Sequence, residues 1–461
     1  MQKILLYTLI AAGACLQFSP LAAQNNKTAP KMESKPKNNT NTPKKSSDKV
    51  NALKTTMNST VQEFDVNGVK VILKPAENSV VSAQLFITGG VTNYDIAKQG
   101  IENLTLSVLA DAGSKKFPKE DFHNIIERKG IYIQGSTSYD YSLLSLRTLA
   151  GNWDQAWDIF SDVILNPSWD EQSFEQNKGQ IVNGLKQSES DPDNFLNDYT
   201  LRRLFKGKRY ETSPAGKPES VSSLTLEDLK NHWSKIAKHK KMMLVVVGKI
   251  SQDDLRNKVA ASLAKLPAGT ADAFVTNPVK IDIASINVEE RDIATNYMRG
   301  VFSAPPRGTR ENIAMRMATA MLSERLFVEI RTKRNLSYAP SASLSSMFDP
   351  YSSIYVTTTK PNDAVQVMTD EIRKVKKEGF NDKEFKAQKE GFLTSYYMNQ
   401  ETNEAQAITL GVNELIGGWE KAESFKDDIY SLTLEEVNTV FRKYANALNW
   451  YYLGKKADMD E

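Results

Sequence analysis

Five short runs of apolar and β-branched residues stand out along the chain and predict strands at 69–73, 80–87, 131–134, 141–146 and 243–248. The last run is apolar at nearly every position. That pattern is typical of a strand covered on both faces, so we expect it at the centre of a sheet.

Other stretches carry apolar residues at helical spacing. Helices are predicted at 101–112 and 122–129, each followed at once by a glycine that can end it. Helices also dominate 152–188 and 225–238. The body of the chain therefore alternates between strands and helices.

Part of this pattern occurs twice. Residues 169–179 match 380–390 at a shift of 211, and 156–160 match 364–368 at a shift of 208. The paired positions include Phe174 with Phe385 and Lys178 with Lys389. A period this long excludes a solenoid and favours two homologous domains in tandem. Chance similarity between amphipathic helices is the simpler alternative.

The first residues resemble an export signal. Lys3 precedes a short apolar stretch and then small residues, so we predict a signal peptide at 1–23. The stretch is shorter than the roughly 20 residues of a membrane span. Lipidation of Cys15 is the less favoured alternative. Location in the periplasm or cell envelope follows from either interpretation.

Residues 24–60 predict a disordered linker rich in Lys, Asn and Pro. They hold eight lysines and two acidic residues, a net charge of +6. The whole chain is only +3, and residues 61–461 carry −4. The body therefore has no nucleic-acid signature. The tail is a solvated spacer or a contact to an anionic membrane surface.

Cysteine and histidine are scarce. One cysteine excludes a disulfide within the chain and a cysteine zinc site. The three histidines, His123, His232 and His239, have no metal-ligand spacing, so we expect surface or partly packed side chains.

Several ordered motifs resemble those of the M16 metallopeptidase family, the insulinase, pitrilysin and mitochondrial processing peptidase relatives. The motifs lie at 89–91, 99–107, 112–118, 126–130 and 331–338. The resemblance covers about 61–461. It implies an α+β fold of two tandem M16-type domains, each a mostly antiparallel sheet packed with helices, which together form half of a clamshell.

The domain limits follow from the motifs and the composition. An N-terminal-like domain is predicted at 61–267, a connector at 268–287 and a C-terminal-like domain at 288–461.

Family members carry H-x-x-E-H on the first helix, where two histidines bind zinc and the glutamate activates water. The corresponding positions here are Asn103, Leu106 and Ser107. The resemblance places a third ligand in a later helix, but 181–186 contains no carboxylate. We therefore expect no catalytic residue, metal or cofactor on this chain, and zinc on a partner.

The resemblance also assigns a pair that holds substrate, an Arg and a Tyr seven residues apart, here Arg331 and Tyr338. In two-chain bacterial members the zinc motif and this pair can lie on different polypeptides. A surface ion pair of Arg331 and packing of Tyr338 is the alternative. The family adds substrate as a strand at the sheet edge, which matches about 132–137.

The leading hypothesis is an exported, non-catalytic subunit that pairs with a zinc-bearing M16 chain containing H-x-x-E-H and contributes to hydrolysis of peptides. The alternative is a stand-alone peptide-binding or assembly protein of the cell envelope. An unconventional peptidase is the third and least favoured hypothesis. Nucleic acid is not expected as a partner.

Overall fold

A computed structural model describes residues 60–272 and 276–459. Its first half contains a six-stranded sheet in the order β1-β2-β6-β3-β5-β4. Only the β2–β6 pair is parallel. The strands are β1 (Gln62–Val66), β2 (Val69–Pro75), β3 (Val80–Thr88), β4 (Tyr132–Thr137), β5 (Tyr141–Leu149) and β6 (Met242–Gly248).

Several helices of the first half begin at side-chain caps. Thr225, for example, forms a capping box with Asp228. The helices are α1 (Ile101–Ala112), α2 (Lys119–Lys129), α3 (Trp153–Leu165), α4 (Glu171–Ser190), α5 (Pro192–Leu204), α6 (Pro218–Ser222), α7 (Leu226–Ile236) and α8 (Gln252–Ala261).

The second half contains a five-stranded sheet in the order β7-β11-β8-β10-β9, in which only β7–β11 is parallel. Its strands are β7 (Ser285–Glu290), β8 (Asn296–Phe302), β9 (Ser341–Leu344), β10 (Ser352–Thr358) and β11 (Asn449–Gly454). Its helices are α9 (Arg310–Leu326), α10 (Pro361–Glu378), α11 (Asp382–Asn399), α12 (Asn403–Leu415), α13 (Glu420–Ser431) and α14 (Leu434–Tyr444).

The two sheets have the same topology if β2, β6, β3, β5 and β4 are matched with β7, β11, β8, β10 and β9. The predicted α+β class with two mostly antiparallel sheets is therefore confirmed. The central apolar strand is confirmed too, because β6 lies between β2 and β3. Helix α1 has the predicted bounds.

The repeated Phe–Lys pair acts in the same way in both halves. The Lys178 ammonium lies 4.9 Å from the Phe174 ring centroid and donates to the Leu224 carbonyl, just before α7. The Lys389 ammonium lies 5.1 Å from the Phe385 ring and donates to the Leu432 carbonyl, just before α14. The match found in the sequence is therefore a repeated structural contact.

One helix from each half also packs against the sheet of the other half. Helix α5 packs Leu196 and Tyr199 against the second sheet, next to Tyr451. Helix α12 packs Leu410 against the first sheet, and Gly411 comes so close that a Cβ atom there would lie 2.1 Å from the Phe86 ring. The two helices stand 211 residues apart, the shift of the repeat.

The predicted signal peptide and nearly all of the predicted linker lie outside the described residues. Strand β7 begins at Ser285, within the last residues of the predicted connector. Earlier in the connector, Val279 and Ile281 are buried. In the two described ranges, no helix has the length and apolar character to cross a membrane.

Candidate functional site

Helix α1 and strand β4 form the surface where the sequence analysis placed the altered zinc motif. The helix begins after Gly100, whose φ of +89° is left-handed. A Cβ atom there would lie 2.9 Å from the Ala215 carbonyl oxygen. Across the helix, a Cβ atom on Gly135 of β4 would lie 2.5 Å from Leu106 Cβ. Two glycines thus let the backbone approach α1 closely.

The three motif positions do not fit a zinc ion. Leu106 is fully buried and offers no donor atom. The Ser107 hydroxyl donates to the Asn103 carbonyl at 2.8 Å, within the same helix. Zinc in proteins is held by thiolate, imidazole and carboxylate groups, and neither Asn103 nor Ser107 supplies one. Throughout 60–272 and 276–459, no group of three or more His, Cys, Asp or Glu side chains could hold a metal ion.

The expected third ligand is replaced by an apolar contact. Helix α4 packs Ile181, Val182 and Leu185 against a cluster that includes Leu104 and Val108 of α1. The fold therefore brings this part of α4 to α1, as the resemblance implies, but it supplies hydrocarbon there instead of a carboxylate.

His232 is buried, contrary to the expected surface or partly packed position. Its Nε2 lies 3.0 Å from Glu102 Oε2, and Glu102 is itself fully buried beside Asn103. Asn93 Nδ2 and the Ser142 hydroxyl also donate to this carboxylate. These contacts satisfy a buried acid, which would otherwise be costly. The isolated His232 gave no sequence signal for the pair, because its partner is 130 residues away.

His239 is also buried, with its ring against Gly68, so the expectation was wrong for it as well. His123 is only partly exposed, and its Nε2 lies 3.0 Å from the Asp111 carbonyl oxygen. Neither residue contacts the α1 motif.

Arg331 and Tyr338 do come together. A π-helical segment, Phe327–Thr332, extends α9 and carries Arg331. The Arg331 guanidinium lies 5.1 Å from the Tyr338 ring centroid and donates to the Tyr338 carbonyl at 2.7 Å. Tyr338 is 80% exposed, and strand β9 begins at Ser341. An exposed cation and phenol therefore stand at the start of a sheet-edge strand.

The left-handed residues show why this segment matches the first half. Gly130 (φ +61°) precedes β4, and Asn335 (φ +52°) precedes β9. The next residues, Ile131 and Leu336, each donate a backbone hydrogen bond back to the preceding helical segment at 2.9 Å. Tyr338 thus occupies the position that Ile133 of β4 has in the first half.

Strand β4 lies at the edge of its sheet, as expected, and β5 is its one neighbour among the described strands. Tyr132 on this edge is 59% exposed, and the Arg147 guanidinium lies 4.5 Å from its ring centroid. The free side of β4 could accept a further extended strand.

A polar cluster between the halves was not predicted. Asp140 accepts from the Tyr210 hydroxyl and from the Phe348 amide, and Arg209 pairs with Asp349 at 3.1 Å. Burial raises the pKa of the Asp140 carboxyl, although the Tyr210 hydrogen bond acts in the opposite direction. The residues are far apart in sequence, so only the packing of the halves reveals them.

Two family models match the chain. The model described as "Insulinase (Peptidase family M16)" matches residues 70–217, and "Peptidase M16 inactive domain" matches 223–392. Together they cover more than half of the chain.

Similar proteins agree with this match. The "Non-peptidase homolog YmxG" of Helicobacter pylori is 24% identical over 403 residues, which are 85% of this chain and 84% of that protein. The crystal structure of a "peptidase M16 inactive domain" from Pseudomonas fluorescens has a TM-score of 0.78 at 21% identity, covering 87% of this chain and 100% of that one. The periplasmic protease PqqL from Escherichia coli has a TM-score of 0.69 at 16% identity, covering 86% of this chain and 47% of that one. The chain belongs to the M16 peptidase family, as a non-catalytic member.

Proposed function

We propose that this protein is the non-catalytic subunit of a peptide-degrading assembly and presents Arg331 and Tyr338 to a peptide held by a zinc-bearing M16 partner. The observation that carries the proposal is the exposed Arg331–Tyr338 pair beside an edge strand, in a chain whose α1 positions do not fit zinc. A guanidinium and a phenol can each donate to a peptide carbonyl or to a developing oxyanion.

A two-unit assembly is supported by the length of PqqL. This chain accounts for only 47% of the PqqL chain, which leaves room there for a second unit of similar size. Here the second unit would be a separate polypeptide with H-x-x-E-H, and it would carry the zinc and perform the hydrolysis.

The test is coexpression with such a partner and a peptidase assay on the purified complex. Arg331→Ala and Tyr338→Phe should each lower peptide turnover by about 10²-fold, the loss typical of removing an oxyanion donor. Arg334→Ala is the control for Arg331, since Arg334 is exposed on the same loop and pairs with Glu329. Tyr430→Phe controls for Tyr338, because Tyr430 is also exposed.

Full turnover by the Arg331 and Tyr338 variants would contradict the proposal. So would peptidase activity, or tight stoichiometric zinc, in this chain alone. Failure to form a complex with any H-x-x-E-H chain would point to the second candidate, a peptide holder or assembly factor without a hydrolytic role. The word "Non-peptidase" in the name of the H. pylori relative favours that candidate.

Export is part of the proposal. The basic start and apolar stretch of residues 1–23 support a signal peptide. N-terminal sequencing of the protein recovered from the periplasm should begin near Gln24. A chain that retains its first residues in the cytoplasm would contradict export, and a lipid on Cys15 would show the lipoprotein form.

A further inference from the structure

Helix α9 of the second half corresponds residue by residue to the helix of the altered zinc motif. Residues 314–323 repeat the order of buried and partly buried positions found at 101–110. Under this match Arg316 takes the place of Asn103, which is the place of a zinc-binding histidine in catalytic relatives. The helix face that carries the altered zinc motif in the first half therefore carries a guanidinium group in the second half.

Arg316 has no anionic partner among the residues that the structure describes. It is partly buried between Met315 and Met317, and the one side chain in the described residues that bonds to it, the Thr319 hydroxyl, donates to its backbone carbonyl and not to its guanidinium. Arg325, further along the same helix, differs sharply because it pairs with Glu371 at 3.1 Å and with Glu384 at 2.8 Å.

A second arginine lies next to this position. Asn312 and Arg316 are four residues apart and so share one face of α9. Asn312 Nδ2 donates to the Pro305 carbonyl at 3.0 Å, which holds the loop with Arg307 against that face. The Arg307 guanidinium lies 5.4 Å from the ring centroid of Phe348.

The nearest acid, Asp140, attracts Arg307, but it is shared with other donors. Asp140 already accepts from Tyr210 and from the Phe348 amide, and it lies near Arg209. Burial lowers the pKa of Arg307. Burial, and then repulsion from Arg307, lowers the pKa of Arg316 to about 10. The two lowered pKa values indicate that burial makes the charged guanidinium groups less favourable, so a bound anion would stabilise them.

We propose that Arg307 and Arg316 form an anion site that binds a carboxylate of a peptide held on this surface. The planar fork of a guanidinium matches a carboxylate with two parallel hydrogen bonds, which makes arginine well suited to this ligand. The carboxylate is either the peptide C-terminus or an acidic side chain. The inference rests on the proposed peptide-binding function and adds a charge preference to it.

The test is calorimetric titration of the full mature chain with peptides of one neutral, unstructured sequence. One form has a free C-terminal carboxylate, one has a C-terminal amide, and one has the amide and a central Glu. The free carboxylate, the Glu, or both should improve binding over the plain amide by about tenfold, the size of one charge-assisted hydrogen bond. Tighter binding of the free-carboxylate peptide would identify the C-terminus as the ligand, and tighter binding of the Glu peptide would identify an acidic side chain.

Arg316→Gln and Arg307→Gln should each remove this preference, while Arg316→Lys should keep part of it. Arg373→Gln is the control, since Arg373 lies on the exposed face of α10. The thermal midpoint of Arg316→Gln without ligand should equal or exceed that of the native chain, because the substitution removes a cation with no partner. A lower midpoint would reveal a structural ion pair and overturn the proposal.

Equal binding of all three peptides, or a preference that survives in Arg316→Gln, would also overturn it. Inorganic sulfate separates this failure from failure of peptide binding. If no peptide binds, but sulfate raises the thermal midpoint of the native chain and not that of Arg316→Gln, the anion site stands and the proposed function fails. If no peptide binds and sulfate does not raise the thermal midpoint of the native chain, both the anion site and the proposed function fail.

Discussion

The two halves of this protein share their framework and differ where a ligand would bind. The Phe–Lys pair, the capping boxes of α7 and α14, and a helix that packs on the other half's sheet occur in both. At the matched surface positions the first half has Asn103 and Ile133, whereas the second has Arg316 and Tyr338. Packing restricts the residue types at the framework positions, whereas the partly exposed positions on the same helices can carry different chemical groups in the two halves.

The reciprocal helices provide the largest test of this symmetry. Leu196→Ala in α5 and Leu410→Ala in α12 should each lower the free energy of unfolding by about 2–5 kcal/mol, because each removes a buried side chain from the other half's sheet. Urea denaturation measures the loss. Leu149→Ala, at an exposed leucine, should change it by less than about 0.5 kcal/mol. A large loss of unfolding free energy for only one of the two variants would show that α5 and α12 do not have equivalent roles.

The lysines of the repeated pair should show a smaller and unequal effect. Lys389 donates to two backbone carbonyls and Lys178 to one. We expect Lys389→Met to cost about 1–2 kcal/mol of unfolding free energy and Lys178→Met about 1 kcal/mol. Lys186→Met, at an exposed position of α4, is the control. Negligible losses in both variants would show that these hydrogen bonds do not support the framework.

The ion pairs of the acidic residues in the first turns of α7 and α14 predict a pH dependence. Hydrogen bonds from Arg310 lower the pKa of Glu436 to about 2. At Asp228, burial acts to raise the pKa, but the hydrogen bonds from Lys98 and Thr225 together outweigh it and lower the value. A carboxyl group whose pKa is lower in the folded protein than in the unfolded chain stabilises the folded state fully only above its ordinary pKa, which is about 4.3 for glutamate. This contribution is therefore present at neutral pH and is lost as the pH falls toward 2.

Glu436→Gln should therefore cost about 1 kcal/mol at neutral pH, a value reduced by solvent exposure of the pair. The gap between variant and native chain should narrow steadily below about pH 4 in denaturation experiments. Asp228→Asn should behave in the same direction with a smaller amplitude. A gap independent of pH would show that the carboxylate charge is not involved.

The smallest effects are expected at the candidate site itself. Asn103→Ala, Ser107→Ala and Tyr338→Ala should each change the unfolding free energy by less than about 0.5 kcal/mol, because these side chains are partly or fully exposed. A loss above about 1 kcal/mol would assign them to the framework and remove the contrast between the halves.

Much of the fold could be predicted because its signals are local. The glycines after α1 and α2, the all-apolar β6 and the repeated Phe–Lys pair each lie within one short segment. The replacement of the zinc motif was equally visible, since ligand spacing on one helix is a property of consecutive residues.

The α+β class, the internal repeat and the chemical types at Asn103, Leu106, Ser107, Arg331 and Tyr338 can be obtained from the sequence alone. Three features become visible only in the folded chain: the burial of His232 against Glu102, the packing of α5 and α12 on the other half's sheet, and the lack of a carboxylate beside Arg316 in the described chain. The physical reason is distance along the chain. A side chain's burial and its charge partners depend on segments more than a hundred residues away, and those are brought together by packing of the two sheets and leave no periodic mark in the sequence.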